Sequence, residues 1–483
     1  MKQWTREERY RVLKSADEII DLHEKTKLSP YRQKFHIQSI TGLLNDPNGF
    51  VYHNGEWHLF YQWCPWGAVH GLKYWYQIKS KDLIHWENVG VGIKPDTYYD
   101  NKGAYSGSAL VTQNSIYLYY TGNHRSEDWI RTPYTCIVNL RDDGTIHKYS
   151  KPLFGPNENY TEHQRDPKII YNKDNETYYI LLGAQNKQKQ GRILIYSSKE
   201  FNKNYTFAGE LKVPGYEDFG DMWECPSIEH IGDQDVLIFC PQHLHIEGRN
   251  HYQHHNGYLI GHMDYDTLTF HHDGSFHELD FGFDSYAAEC CANIGDPNKA
   301  VLIAWMGLPD ASYPTDEEDW SGCLTMPREL TIRDRRLIQT PLPSFKELRD
   351  ERLDLKHDLP RACELDLYIE GSCQINLFKS SQADGLTITY DEESKDIVID
   401  RSKMTKRFNI EQGETRKRTL LRSLKHLQIF IDSSSIEIYV NDGDALFTSR
   451  VFPTNEEHGL EIKGPVTGDL YRLKDAVIDN FQL

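Results

Sequence analysis

No stretch of this 483-residue sequence approaches the roughly twenty consecutive apolar residues needed to cross a bilayer. The opening, Met1 to Arg11, is charged and has no apolar centre, so neither a membrane anchor nor a secretion leader is expected. Positive charge is in short supply. Against 72 Asp and Glu stand 54 Lys and Arg, a net charge of -18 with no basic run to relieve it, so nucleic acid and anionic membranes are not expected partners. Cysteine is sparse at nine, an odd number without metal-type spacing, which suits free thiols and a cytoplasmic location better than a disulfide framework. The adjacent Cys290 and Cys291 read as packed thiols. Glycine forms no nucleotide-binding loop, and no cofactor is expected. His243, His245, His251, His254 and His255 crowd one segment but lack a His-Glu-x-x-His pattern, so a hydrated loop is expected there and no metal site. Asn-X-Thr triplets at Asn159, Asn175 and Asn204 matter only in a secretory pathway and read as chance.

What the chain does have is length and aromatic side chains. It exceeds the size at which one core keeps growing, so two domains are expected. Its 30 tyrosines and 10 tryptophans suit strands and sugar-stacking surfaces alike. Residues 5 to 26, rich in Glu, Lys and Leu, read as a helical lead-in that stops before Ser29-Pro30. Gly49 to Gln62 is then two aromatic-rich runs joined by Asn54-Gly55, a hairpin signal. Similar units run from Ser106 to Gly122, Asp166 to Gly183, Glu224 to Cys240 and Glu289 to Trp305, with Ser80 to Trp86 and Ser197 to Phe201 as further strand-like stretches. The markers Asp46, Gly107, Asp166, Glu224 and Glu289 recur at about sixty residues, room for four strands each. The expected fold is all-β: a lead-in over 1–29, a five-bladed β-propeller over 30–340, and a C-terminal β-sandwich over 345–483. A plain two-sheet β domain is the alternative to the propeller. The sandwich rests on alternation at Leu386, Ile388 and Tyr390, at Leu427, Ile429 and Ile431, and at Ile436, Ile438 and Val440.

In a propeller the first strand of each blade lines the axis, so Asp46, Asp166 and Glu224 would converge in one funnel. Glycoside hydrolysis needs such carboxyl groups astride the scissile bond. Taken singly, Asp46-Pro47-Asn48-Gly49 is an ordinary turn, Arg165-Asp166-Pro167 an ion pair at a strand start, and Glu224 between Trp223 and Cys225-Pro226 a buried edge residue. Their common repeat position favours a shared site. Arg165 is expected to keep Asp166 ionised, and the apolar Trp223 and Cys225 to raise the pKa of Glu224 toward that of a general acid.

These residues also carry a resemblance. Gly42-Leu43-Leu44-Asn45-Asp46-Pro47-Asn48-Gly49, Phe60-Tyr61-Gln62, Tyr105-Ser106-Gly107-Ser108-Ala109, Arg165-Asp166-Pro167 and Glu224-Cys225-Pro226 resemble, in order, the signature blocks of glycoside hydrolase family 32, the invertases and fructanases. Gly322 to Leu330, Ser434 to Glu437 and Asn441-Asp442-Gly443 extend the resemblance over nearly the whole chain. Trp4 to Tyr10 and Gly67 to Trp75 look like the bacterial members that act on sucrose 6-phosphate. The resemblance implies hydrolysis of terminal non-reducing β-D-fructofuranosides (sucrose 6-phosphate, sucrose or short fructo-oligosaccharides) with retention through a covalent fructosyl-enzyme. By motif, Asp46 matches the nucleophile, Asp166 the transition-state stabiliser and Glu224 the acid/base. Asn45, Gln62, Trp75, Ser106, Ser108, Arg165, Tyr286 and Trp305 are the expected sugar-binding residues. The implied partner is a small sugar, bound by a monomer or homodimer without metal or cofactor. Two departures, Tyr76-Gln77 after Trp75 and Ser285, Ala288 and Glu289 around Tyr286, are expected to alter the rim and put preference for a phosphorylated substrate in doubt. Competing readings are an inverting arabinan- or xylan-directed propeller glycosidase and a non-catalytic carbohydrate-binding propeller.

Overall fold

The computed structural model describes residues 2–247, 253–477 and 480–483. Most of them lie in strands of seven sheets. The lead-in is helical only in pieces, α1 (Arg6–Arg9), a 3-10 turn (Ala16–Glu18) and α2 (Ile20–Thr26). Thr5 and Glu8 cap α1 reciprocally. Ile19 reaches the core of the first sheet, which is what holds so short a helical stretch in place.

The first sheet runs β1 (Gly42–His53), β2 (Glu56–Cys64), β3 (Tyr74–Ser80) and β4 (Trp86–Ile93). Asn54 and Gly55 both take positive φ, 48° and 84°, and make the tight turn that the Asn-Gly pair promised. The next three sheets repeat the plan. They run β5 (Ala104–Thr112), β6 (Ser115–Arg125), β7 (Arg131–Leu140) and β8 (Ile146–Lys148); then β9 (Tyr160–Asn172), β10 (Thr177–Asn186), β11 (Gly191–Ser198) and β12 (Thr206–Glu210); then β13 (Met222–Ile231), β14 (Gln234–Gln242), β15 (Gly257–Asp264) and β16 (Thr269–His272), with β17 (His277–Glu278) beside β15. A fifth sheet joins β18 (Tyr286–Cys290) and β19 (Ala300–Trp305) to Arg328–Arg333 and Arg336–Pro341. First strands neighbour one another in a cycle: β1 touches β5, β5 touches β9, β9 touches β13, β13 touches β18, and β18 returns to β1. Trp320–Ser321 pairs in parallel with Gly42 and Leu43, tying the end of this cycle to its beginning.

Two expected strands are turns instead. In Ser80 to Trp86 the Asp82 carboxylate accepts from the amides of Ile84 and His85, and Leu83 sits at φ 67°, so side-chain capping replaces ladder pairing. Likewise only Ser197 and Ser198 of the second stretch belong to a strand, because the Ser198 hydroxyl accepts from Glu200 N and starts a turn.

The last two sheets, from Arg349 onward, share one core that contains Leu386, Ile388 and Tyr390 and the apolar faces of His426–Asp432 and Ser435–Val440. A buried charge network joins them to the earlier sheets. Arg328 donates to Glu437 at 2.9 Å and to Asp280 at 3.3 Å, while His36 bridges Asp432 at 2.9 Å and Glu437 at 3.2 Å. Glu437 also accepts from Met326 N. The blocks Gly322 to Leu330 and Ser434 to Glu437 therefore serve this joint.

Candidate active site

Each first strand carries a bulge at one equivalent point. Register slips between Leu44 and Pro47 on β1, Tyr105 and Gly107 on β5, Arg165 and Lys168 on β9, Glu224 and Ser227 on β13, and Tyr286 and Glu289 on β18. A bulge leaves a residue out of the ladder and re-aims its side chain, and it tolerates a proline that cannot donate. That is why Pro47, Pro167 and Pro226 follow the acids or sit one residue on. Asp166 itself adopts φ 65° and Cys225 φ 47°. The bulges bring Asp46, Asp166 and Glu224 into one electrostatically linked cluster, each pKa shifted in part by another member or by Arg165.

Asp46 is held by neutral donors. Asn45 donates to it at 3.0 Å, Gln62 at 3.4 Å and Ser106 at 2.6 Å; Asn45 is itself fixed by Gln62 at 2.9 Å, and Gln62 donates to Ser106. Lys73, buried and missing from the sequence-based set, donates to Asn45 at 2.7 Å. Burial pushes the Asp46 carboxyl up, opposed by the Lys73 charge and the Ser106 hydroxyl.

The electrostatic expectation for the other two acids is reversed. Arg165 clasps Glu224 at 2.8 and 2.5 Å. Tyr286 donates to the other Glu224 oxygen at 2.5 Å and Gln242 at 2.6 Å. Burial raises the Glu224 carboxyl, but the Arg165 charge and these donors outweigh it and leave it below its ordinary value. Among the described residues the Asp166 carboxylate accepts only from Cys225, through its amide at 3.0 Å and thiol at 3.7 Å. Burial pushes it up to about 7 against the pull of Arg165, with Glu224 and Asp46 adding repulsion. The bulge explains both outcomes, because it aims the Arg165 guanidinium at Glu224 and leaves Asp166 without an ion pair among the described residues. Trp223 packs on Phe239 with its indole N–H on Phe219 O, and Cys225 faces Asp166, so neither dries Glu224.

Of the expected sugar-binding residues, Asn45, Gln62, Ser106, Arg165 and Tyr286 come within hydrogen-bond reach of an acid. Trp305 stands opposite Tyr286 in the ladder with a buried indole N–H that has no protein partner. Two are placed elsewhere. Trp75 is wholly buried between the first two sheets, its N–H on Tyr105 O, and the Ser108 hydroxyl is used up bridging Pro167 O and Ile169 N. Sequence reasoning missed Gln242, although a signal existed: it follows Glu224 by 18 residues on the paired strand, as Gln62 follows Asp46 by 16.

The departures do not lie on a rim. Tyr76 is fully buried against Tyr61, and Gln77 meets His58. Ala288 is in a core, and Glu289 faces the axis, where burial pushes it up to about 8 despite the nearby Lys168. There the first strands enclose a cavity of about 30 Å³ lined by Asn48, Asp166, Ser227 and Glu289. It has room for a water and none for a sugar ring. Three of the histidines each meet a different carboxylate, His243 with Asp221, His254 with Asp310, and His255 with Glu278 as well as Leu244 O; His251 lies outside the described residues. Among the described residues no group of three or more His, Cys, Asp or Glu is placed so as to hold a metal ion, and all nine cysteines are unbridged.

Models of the glycosyl hydrolases family 32 N-terminal domain and of the family 32 C-terminal region match residues 36–341 and 347–474. The chain belongs to glycosyl hydrolase family 32. Within the family it is similar to the sucrose-6-phosphate hydrolase of Staphylococcus xylosus, 40% identical over 481 residues, 95% of this chain and 96% of that one. The structure of sucrose-6-phosphate hydrolase from Lactobacillus gasseri superposes with a TM-score of 0.92 at 37% identity, covering 98% of this chain and all of the other. A variant of the Bombyx mori family 32 β-fructofuranosidase, in complex with sucrose, superposes with a TM-score of 0.81 at 28% identity, covering 96% and 100%. The family 32 relatives thus span essentially the full length described. Among the described residues no helix is long and apolar enough to cross a membrane.

Proposed function

We propose that this glycoside hydrolase releases fructose from sucrose 6-phosphate, and more slowly from sucrose, with retention of configuration. The observation that carries the reading is the convergence of three acids, two of them in different states: Asp46 wrapped by neutral donors and Glu224 clasped by a cation and two further donors. The names of the similar proteins supply the substrate class. Glu224, protonated, would give its proton to the glycosidic oxygen while Asp46 attacks the anomeric C2 and the glucosyl unit leaves. Glu224, now a carboxylate, would take a proton from water as that water attacks C2 and frees Asp46. Sugar hydroxyls accepting from Arg165 would loosen its grip on Glu224 and let that carboxyl rise toward the value a general acid needs. Asp166, steadied by Cys225, would hold fructose hydroxyls, with Trp305 offering its free N–H.

The cyclic neighbouring of five first strands supports a five-bladed propeller over 30–340, and the shared core of the last two sheets supports a sandwich over 345–483. The family boundary between 341 and 347 falls at the same place. A cytoplasmic location fits the unbridged thiols.

Product stereochemistry tests the reading. Proton NMR during the first turnovers should show β-fructofuranose before mutarotation, and initial α-fructose would exclude retention. A pH profile tests the acid. Because the Tyr286 hydroxyl helps to depress Glu224, Tyr286→Phe should raise that pKa and move the basic limb of kcat/KM to higher pH. A limb that stays in place or moves down would remove Glu224 from the acid role.

A further inference from the structure

At the turn end of the β6–β7 hairpin, Arg125 and Arg131 are direct ladder partners. Like charges placed opposite each other repel, and in a chain of net charge -18 a neutralising carboxylate would be easy to supply. Glu127 and Asp128 stand in the turn but are exposed, and no Asp or Glu oxygen forms an ion pair with Arg125, Arg131 or the nearby Lys102 among the described residues. Their own hydrogen bonds are incomplete as well. Arg131 Nε donates to Asn123 and Arg125 Nη1 to Trp129 O, but Arg125 Nε and Arg131 Nη2 are buried without any partner. Unpaired buried donors of this kind are uncommon and call for a ligand.

The surroundings are built around these cations. Trp129, at φ 66° in the turn between the two strands, is approached by Arg125 at 5.2 Å, Arg6 at 4.3 Å and Lys102 at 5.7 Å, and edge-on by Tyr10. The lead-in thus packs against this turn and adds a further positive charge. Arg131 also lies 5.6 Å from the ring of Tyr105, the residue before Ser106, which holds Asp46. On its other side Arg165, the partner of Glu224, bonds His163 at 3.3 Å and by its charge helps burial depress Arg131. Of the nearby carboxylates, Glu127 and Asp128 in the turn and Glu162 beyond it are solvent-exposed, and Asp166 is felt by Arg131 through its charge without an ion pair.

We infer that Arg125 and Arg131, assisted by Lys102, bind the phosphate of the departing sugar phosphate and set preference for sucrose 6-phosphate over sucrose. This rests on the fructofuranosidase reading and deepens it. Guanidinium N–H pairs match phosphate oxygens bidentately, and a dianion would satisfy both orphan donors while relieving the repulsion of the facing arginines. The site lies toward Glu224, the acid that would protonate the leaving oxygen, so a phosphate on the leaving group is within the sense of the geometry. Glu289, at the axis, does not oppose it.

The test is the ratio of kcat/KM for sucrose 6-phosphate over sucrose in the full chain and in Arg125→Gln, Arg131→Gln and Lys102→Gln, with Tm followed for each. The native ratio should stand well above one and fall at least about tenfold in either arginine variant, and less in Lys102→Gln. Glucose 6-phosphate binding, measured by calorimetry, should weaken in step, whereas binding of glucose should not. Should Arg131→Gln not fold, Arg125→Gln and Arg125→Lys carry the test, the latter retaining part of the ratio. A native ratio near one, or a ratio untouched in folded variants, overturns the phosphate site and leaves the fructofuranosidase reading intact. No turnover of either sugar, with glucose 6-phosphate still bound through Arg125, overturns that reading and upholds the phosphate site.

Discussion

Replacing Glu224 by Gln should lower kcat on sucrose 6-phosphate at least about a hundredfold, since general acid catalysis alone commonly supplies that much. The amide oxygen can still accept from Tyr286 and Gln242, so the fold should survive with Tm little changed. What is lost is the proton donor and the charge that holds Arg165. Part of the upward push on Asp166 comes from the Glu224 charge, so the same substitution should also bring the Asp166 carboxyl down from about 7. Carbon-13 NMR of labelled aspartate would follow that titration in the folded variant. A variant that retains kcat within tenfold of the native enzyme would take Glu224 out of the chemistry and revive a non-catalytic binding role. Retained chemistry with inverted product would instead point to the arabinan- and xylan-directed type.

The second large effect lies far from the acids. Glu437→Gln should destabilise the whole chain by about 3 to 5 kcal/mol, because it removes the carboxylate shared by two buried cations and leaves Arg328 with Asp280 alone and His36 with Asp432 alone, where no water can reach. The native pairing also carries a pH signature. Burial raises the Glu437 carboxyl, but Arg328 and His36 more than reverse this and hold it at about 2, below its ordinary 4.5. A depressed carboxyl contributes stability above its unfolded pKa and loses it as pH falls through the folded one, here between about 4.5 and about 2. His36 runs the other way: raised by Asp432 and Glu437 against burial, it stabilises below its ordinary 6.5 and ceases to do so as pH rises through its higher folded value. Chemical denaturation across pH should show both slopes in the native chain. In Glu437→Gln the acid slope should shrink, and a variant as stable as the native chain at pH 6 would show that the joint does not depend on this network.

Much of this was legible beforehand. Asn54-Gly55 announced the first hairpin, and alternation at Leu427, Ile429 and Ile431 announced a half-buried strand, because turns and pleats impose local periods on local sequence. Even the meeting of Asp46, Asp166 and Glu224 could be argued, since repeated units place equivalent residues alike. Ser80 to Trp86 was harder: its apolar residues suit a strand, yet one carboxylate bonding two amides makes a turn.

The sequence by itself determined the β architecture, the recurrence of acids and prolines at one repeat position, and the family. Only the tertiary structure decided which cation serves which acid, that Trp75 and Ser108 fasten sheets together, and that Arg125 and Arg131 face each other unneutralised. The physical reason is that pairing between sheets depends on where a bulge aims each side chain, and the adjacent residues do not specify that direction. Arg165 stands next to Asp166 in the chain and on Glu224 in space, and no local rule could have told them apart.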